Sequence, residues 1–418
     1  MSAPAFRSRW RALVAAACGV LALSAVTPDA APADSSSQDV RALWVTRATL
    51  NSPAAVTKMV AAARASGFNT LLVQVRGRGD AYYQSTLEPR ASELSAHPAF
   101  DPLASTITQA HAAGLRVHAW VAVNLVSSAT TLPSSREHVV YRHPDWLMVP
   151  RALAAELRTI DIRSPEYLGR LARWSRQHAD DVEGLYTSPL HAAAAGHVAA
   201  VVRELVTGYA LDGVHLDYVR FPGEEFDYSR GALEQFKQSV QPDLSAAERT
   251  TLRSRESLDP LAYPNFFPER WKAFRRSRLT SLVMRLRTAI KDVRPTALVS
   301  AAVIPDAAEA YQSRLQDWRT WLDQSLIDVL CPMAYTQDPR QFEAQVALAQ
   351  DYAGGRPVWT GIGAYRLAPA TTLQFIAAAR RLGTSGIVLF SYDALVAPPY
   401  SASTLTDLGR AAFGAGSH

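Results

Sequence analysis

Acids, arginines, an amide and several tyrosines stand directly behind short apolar runs in this chain. The clearest is Asp217 in LDGVHLDYVRFPG (211–223), where a carboxylate ends an apolar run and Tyr218 and Arg220 follow it. The others are Arg47, then Arg76 with Asp80 and Tyr82, then Asn124, Asp306, Tyr335, Tyr365, and Tyr392 with Asp393. Such a set suits a sugar. Aromatic rings stack on pyranose C–H faces, and arginines and amides bind hydroxyls or carboxylates. One or two carboxyls then serve as general acid and as base, nucleophile or charge stabiliser at a glycosidic bond.

Each candidate also has a plainer reading. Asp217 is either the catalytic carboxyl or the partner of Arg220 or Arg76 in an ion pair. A nearby guanidinium lowers a carboxyl pKa and favours an ionised role, whereas a general acid needs its pKa raised by burial. Asp306 is either a second catalytic carboxyl or the N-cap of a helix opening at AAEAY (307–311). Arg76 and Asp80 lie in the Gly-punctuated RGRGD (76–80), for substrate positioning or a structural salt bridge. The tyrosines are stacking platforms or rim packing, and Asp393 closes a sugar site or caps the last helix. Glu224 and Glu225 read as surface residues, and Trp44 and Trp120, inside apolar runs, as core.

Other chemistries lack their motifs. HExxH, G-x-S-x-G and P-loop patterns are absent, which argues against a metallohydrolase, a serine esterase or a nucleotide enzyme. No metal and no cofactor is expected. Cys331 sits in an apolar run and reads as packing.

The elements that must position these residues read as alternating strands and helices. Apolar runs occur at 41–47, 70–76, 115–123, 212–219, 297–304, 326–335, 357–363 and 386–392. Ala- and Leu-rich stretches such as 102–114 and 192–210 separate them as helices. Continuous apolar strands are buried on both faces, as parallel strands are. Eight strand–helix units predict a (β/α)8 TIM barrel, and the lack of glycine in the first turn (46–52) speaks against an open dinucleotide-binding sheet. Long loops follow strand 3 (125–191) and strand 4 (223–268). In a barrel they wall the face where strands end and active sites form.

Composition agrees with one large globular domain. The 418 residues are 48% hydrophobic and 19% charged, with a net charge of +5 and no cluster of basic residues, so nucleic acid is not an expected partner. Arg7, Arg9 and Arg11 precede an apolar run (12–26) and then Ala31-Pro32-Ala33, the layout of a secretory signal peptide. The expected division is a signal peptide at 1–33, a disordered leader at 34–38 and the barrel domain at 39–415. Export to the periplasm or beyond follows, with lipoprotein attachment at Cys18 as an alternative and no stable membrane span once the signal is removed.

Several long motifs in register resemble glycosyl-hydrolase-like family 10, the YngK-like group of exported bacterial barrels. They are NTLLVQVRGRGDAYYQSTLEPRASELS (69–95), FDPLASTITQAHAAGLRVHAWV (100–121), HPDWLM (143–148), LDGVHLDYVRFP (211–222), IDVLCPMAYT (327–336), TGIGAYRL (360–367) and GIVLFSYD (386–393). The resemblance spans about 39–410. It implies a hydrolase of bacterial envelope polysaccharide, with peptidoglycan-type strands as the leading substrate class. Members often carry two adjacent acids at the strand-4 tip, whereas here Tyr218 follows Asp217. One acid is therefore carried over, and the second catalytic group is open. The missing acid motivates a rival reading, a glycan-binding barrel or envelope scaffold without turnover. A transglycosylase would share the same site.

Overall fold

The computed structural model describes residues 39–401 and 403–414. The expected signal peptide, leader and Cys18, and residue 415, lie outside the described residues. Eight parallel strands close into a barrel in sequence order: β1 Val40–Val45, β2 Thr70–Arg76, β3 Arg116–Ala122, β4 Gly213–Asp217, β5 Leu298–Val303, β6 Val329–Ala334, β7 Trp359–Ile362 and β8 Gly386–Leu389. The (β/α)8 architecture is the one expected from the sequence.

Strand parity explains why these segments read as continuous apolar runs. Leu43, Val45, Leu71, Val73, Val117, Val214 and Leu216 face outward and pack under the helices. The alternate residues, Val40, Ala42, Trp44, Leu72, Trp120, Cys331, Trp359 and Val388, fill the barrel interior as a separate cluster. His215 is paired at both ring nitrogens, whereas the Nδ1 of buried His118 has no hydrogen-bond partner among the described residues. The Trp44 indole N–H donates to His215 Nε2 at 3.1 Å, and His215 Nδ1 meets Ser300 Oγ at 2.9 Å. Burial pushes the His215 imidazole down to about 3 and that of His118 down to about 4, so both are neutral near pH 7.

Gly361 makes room for this interior. A Cβ there would stand 2.8 Å from the Trp44 ring and 2.9 Å from the Pro332 carbonyl oxygen. Gly361→Ala is therefore expected to cost about 1–3 kcal/mol by overpacking, read as a lowered midpoint of urea unfolding. An unchanged midpoint would show that Trp44 gives way freely.

The two long connections are not open loops. The one after β3 carries helices Val139–Arg142, Ala154–Leu157 and Pro165–Gln177 around its own small core, which includes Trp146, Val149, Tyr167 and Leu171. The one after β4 carries helices Arg230–Val240, Ala246–Glu256 and Ala262–Phe266. Buried Asp227 joins them, accepting the Val149 and Ser229 N–H groups, each at 2.8 Å. A capping box of Ser245 and Glu248 starts the helix Ala246–Glu256, a signal the sequence carries in plain form. Among the described residues no helix is long and apolar enough to cross a membrane.

Candidate active site

Asp217 is the last residue of β4, opposite Ala122 of β3. The strand stops there because Tyr218 takes φ +53°, a left-handed conformation uncommon for a bulky residue. That turn aims the Tyr218 N–H back onto Asp217 Oδ1 at 2.6 Å. The same oxygen accepts from Arg220 Nη1 at 3.2 Å, and Oδ2 accepts the Trp120 indole N–H at 3.1 Å. Arg220 is itself buried, lies 4.2 Å from the Tyr218 ring centre, and reaches Glu183 Oε1 at 3.4 Å. Tyr186 donates its hydroxyl to the other Glu183 oxygen at 2.6 Å.

The ion-pair partner of Asp217 is thus Arg220 and not Arg76, and the conflict between pairing and burial has a direction. Burial pushes the Asp217 carboxyl above the usual aspartate range. The Arg220 charge and the N–H groups of Tyr218 and Trp120 pull it back without reversing the shift. For Glu183 the balance goes the other way. Burial raises its pKa, but Arg220 and the Tyr186 hydroxyl outweigh burial and hold it low. Burial and then the Asp217 charge push the Tyr218 phenol up to about 12.

Above Asp217 opens a cavity of about 720 Å³ at the C-terminal ends of the strands. The Trp44 and Trp120 rings form its base, Arg47, Gln74, Tyr82 and Glu93 one part of its wall, and Met333, Tyr335 and Phe390 another. The Tyr335 and Phe390 ring centres are 5.6 Å apart, an aromatic surface suited to stacking a sugar. Asp217 and Glu93 are the carboxylates among the described residues that line this space.

Of the residues singled out from the sequence, Arg47, Tyr82, Asp217, Tyr218, Arg220 and Tyr335 come together at the cavity. The rest do not. Asp306 is exposed and caps the helix Ala307–Gln312, accepting the Ala308 and Glu309 N–H groups, so it is no partner for Asp217. Arg76 is fully buried in a bidentate pair with Glu88, Nε and Nη2 at 2.7–2.9 Å, and it also binds the Ala122 and Val123 carbonyls. It locks β2 to β3 and has no face for substrate. Asp393 accepts the Thr46 N–H at 2.8 Å and the Thr49 hydroxyl, tying down the segment after β1.

Tyr392 is buried in the core under the last helix. Tyr365 is exposed at the rim, its ring 6.3 Å from that of Tyr335. Asn124 is buried behind the cavity, where its carbonyl accepts the Thr187 N–H at 2.8 Å. Asp80 lines an adjoining groove.

Sequence reasoning missed Trp44, Trp120, Gln74, Glu93 and Glu183. Parity could have found the indoles and Gln74, since in a barrel alternate strand residues face the interior that carries His215 and Asp217. Nothing local marks Glu93 or Glu183, which sit in connections. His191 and His197, six apart in sequence, both meet the Trp146 ring, at 5.9 and 5.5 Å between centres, because His191 is the N-cap outside the helix Ala192–Gly208. Among the described residues no group of three or more His, Cys, Asp or Glu is placed to hold a metal ion.

A family model described as Glycosyl hydrolase-like 10 matches residues 39–362. Two similar curated relatives are Glycosyl hydrolase YngK of Bacillus subtilis (strain 168) and Glycosyl hydrolase DigH of Escherichia coli (strain K12). The first is 24% identical over 331 residues, 72% of this chain and 53% of that protein. The second is 23% identical over 320 residues, 69% of this chain and 59% of that protein. The chain thus spans little more than half the length of these relatives. Among solved structures, the PgaB (BpsB) glycoside hydrolase domain from Bordetella bronchiseptica superposes with a TM-score of 0.60 at 15% identity, over 88% of this chain and 98% of that one. Alpha-L-fucosidase isoenzyme 2 from Paenibacillus thiaminolyticus gives 0.58 at 17% identity, over 90% of this chain and 49% of that one. At such identities the structural likeness carries the barrel fold.

Proposed function

This chain belongs to the glycosyl hydrolase-like 10 family, and from that premise we propose that it is an exported hydrolase of glycosidic bonds in a bacterial cell-envelope polysaccharide. Peptidoglycan-type glycan strands are the substrate we propose. One observation carries the reading. Asp217 is a carboxyl only 8% exposed at its side chain, held by three N–H donors at the base of an open cavity, with its pKa raised by burial. A carboxyl whose pKa is raised by burial is better suited to donate a proton than an ordinary aspartate.

In this mechanism the Asp217 carboxyl protonates the glycosidic oxygen as the C–O bond breaks. Positive charge develops on the sugar ring, and Glu93, as a carboxylate on the cavity wall, meets it. Water adds at the anomeric carbon and its proton returns to the carboxylate pair. Tyr335 and Phe390 offer a stacking face for the sugar, and Arg47 and Gln74 offer hydrogen bonds to its substituents. Arg76 and Asp306 have no part in the step.

The test is product analysis by mass spectrometry. Protein from residue 34 onward would be incubated with peptidoglycan glycan strands, with and without stem peptides. Shorter saccharides with new reducing ends are expected. Strands that are bound and left intact would replace hydrolysis by the glycan-binding reading, and longer products beside shorter ones would indicate transfer to another sugar.

A further inference from the structure

The main cavity continues into a second groove of about 230 Å³, and Arg47 and Glu93 line both. Arg78 and Asp80 stand in this groove, and Ser92, Ser127 and Ser128 also line it. Arg78 is half-buried, and among the described residues its guanidinium has no hydrogen-bond or salt-bridge partner. Arg47 is half-buried too, and among the described residues its guanidinium hydrogen-bonds only to Gln74 Oε1, at 3.3 Å.

The backbone is arranged to permit this pairing of like charges. Gly77 lies under Arg47, and a Cβ at that position would stand 2.7 Å from both Cδ and Nη1 of the arginine. Next to it, the Arg78 carbonyl meets His138 Nε2 at 2.8 Å and the Arg78 N–H donates to Asp80 Oδ1 at 3.0 Å. The main chain of Arg78 is therefore fixed on both sides while its side chain is left free.

Asp80 and Glu93 also face the groove, and neither forms a salt bridge with the two guanidiniums among the described residues. Burial, and then the neighbouring Arg47 charge, lower the Arg78 pKa against the pull of Asp80, Tyr218 and Tyr82. The balance at Arg78 is thus unfavourable to its own positive charge, and an anion bound there would relieve it. Two guanidiniums with free N–H groups suit a planar carboxylate, which accepts paired hydrogen bonds from them.

We propose that Arg47 and Arg78 form a carboxylate-binding subsite beside the cleavage position, so that the glycan this barrel takes carries an acidic sugar. The proposal deepens the glycan-hydrolase reading and rests on it for the identity of the ligand as a sugar. The carboxylate could belong to a carboxyalkyl ether on the ring or to the ring itself, as in a uronic acid.

Two matched pairs of glycans test it. One is glycan strands stripped of stem peptides, whose ether carboxyls are free, against the same strands with those carboxyls reduced to alcohols. The other is uronic-acid oligomers against their reduced forms. For at least one pair the wild-type ratio of kcat/KM is expected to favour the carboxylate by about tenfold or more, and to fall as salt is raised. The pair that shows the preference identifies the source of the carboxylate. Arg78→Gln and Arg47→Gln should each bring the ratio toward one, and Arg78→Lys, which keeps a point charge, should retain part of it. Equal rates on both members of both pairs would overturn the subsite, as would a preference left intact by Arg78→Gln in a folded protein. If no glycan is cut, the hydrolase reading fails, and equilibrium binding of the same pairs then reads the subsite alone. Preferential binding abolished by Arg78→Gln sustains it, and indifferent binding ends it.

Discussion

Asp217→Asn is expected to lower kcat on glycan strands by about a thousandfold, in the middle of the range for a positioned proton-transfer group. KM should change little, because the amide has nearly the carboxyl's shape and leaves the cavity wall in place. A loss confined to kcat marks an interaction made in the transition state. The pH profile adds a second, independent sign. A general acid works in its protonated form, so kcat/KM falls as pH rises through the Asp217 pKa, which burial has lifted above the ordinary aspartate range. Arg220 pulls that pKa down, so Arg220→Met should move the alkaline limb to higher pH. A limb that stays in place, with Asp217→Asn as active as wild type, would assign the carboxylate to structure alone.

The second large effect concerns stability. Glu88→Ala is expected to destabilise the fold by about 3–5 kcal/mol, because it strands the Arg76 guanidinium in a fully buried site. Replacing both members by apolar residues of similar size should recover most of the loss, since the cost lies in the unpaired charge. The pair also sets an acid limit. Burial alone would raise the Glu88 carboxyl, but Arg76 and His197 together outweigh it and hold it at about 2, below the 4.5 of a free glutamate. A carboxyl whose folded pKa is depressed contributes stability that is complete above the unfolded value. That contribution is lost as pH falls from about 4.5 toward about 2. Urea midpoints measured down this range should fall in wild type and flatten in the doubly apolar variant. Parallel curves would place the acid sensitivity elsewhere.

The barrel was legible because parallel strands buried on both faces leave uninterrupted apolar runs, and eight of these alternate with helices. The run at 70–76 matches β2, Thr70–Arg76. The expected fourth strand ran on to Val219, two residues too far, because nothing in the residue type of Tyr218 announces a left-handed turn. Asp217 and Arg220 were legible as a pair since they stand three positions apart, one at a strand end and the other just past it. Of the two readings of Arg76 the structural salt bridge holds, and the sequence could not name its partner because Glu88 lies twelve residues away in an irregular connection with no periodic signal.

The indoles failed for a different reason. Trp44 and Trp120 are core residues by burial, and they are also the base of the cavity, because in a barrel the interior core ends where the site begins. Glu93, Glu183 and the Arg78 groove depend on how the connections after β2 and β3 fold, which tertiary packing decides. Asp306 shows the opposite case. Its position before AAEAY already allowed a helix cap, and in the structure its carboxylate is spent on the Ala308 and Glu309 amides.

The central claim is that water cleaves a glycosidic bond in the cavity above Asp217. The most direct measurement is digestion of peptidoglycan glycan strands in heavy-oxygen water, with the products weighed by mass spectrometry beside an Asp217→Asn control. Each new reducing end should carry one heavy oxygen in the wild-type digest, and the control should yield essentially none. New ends without the label, or equal release by both proteins, would contradict the account.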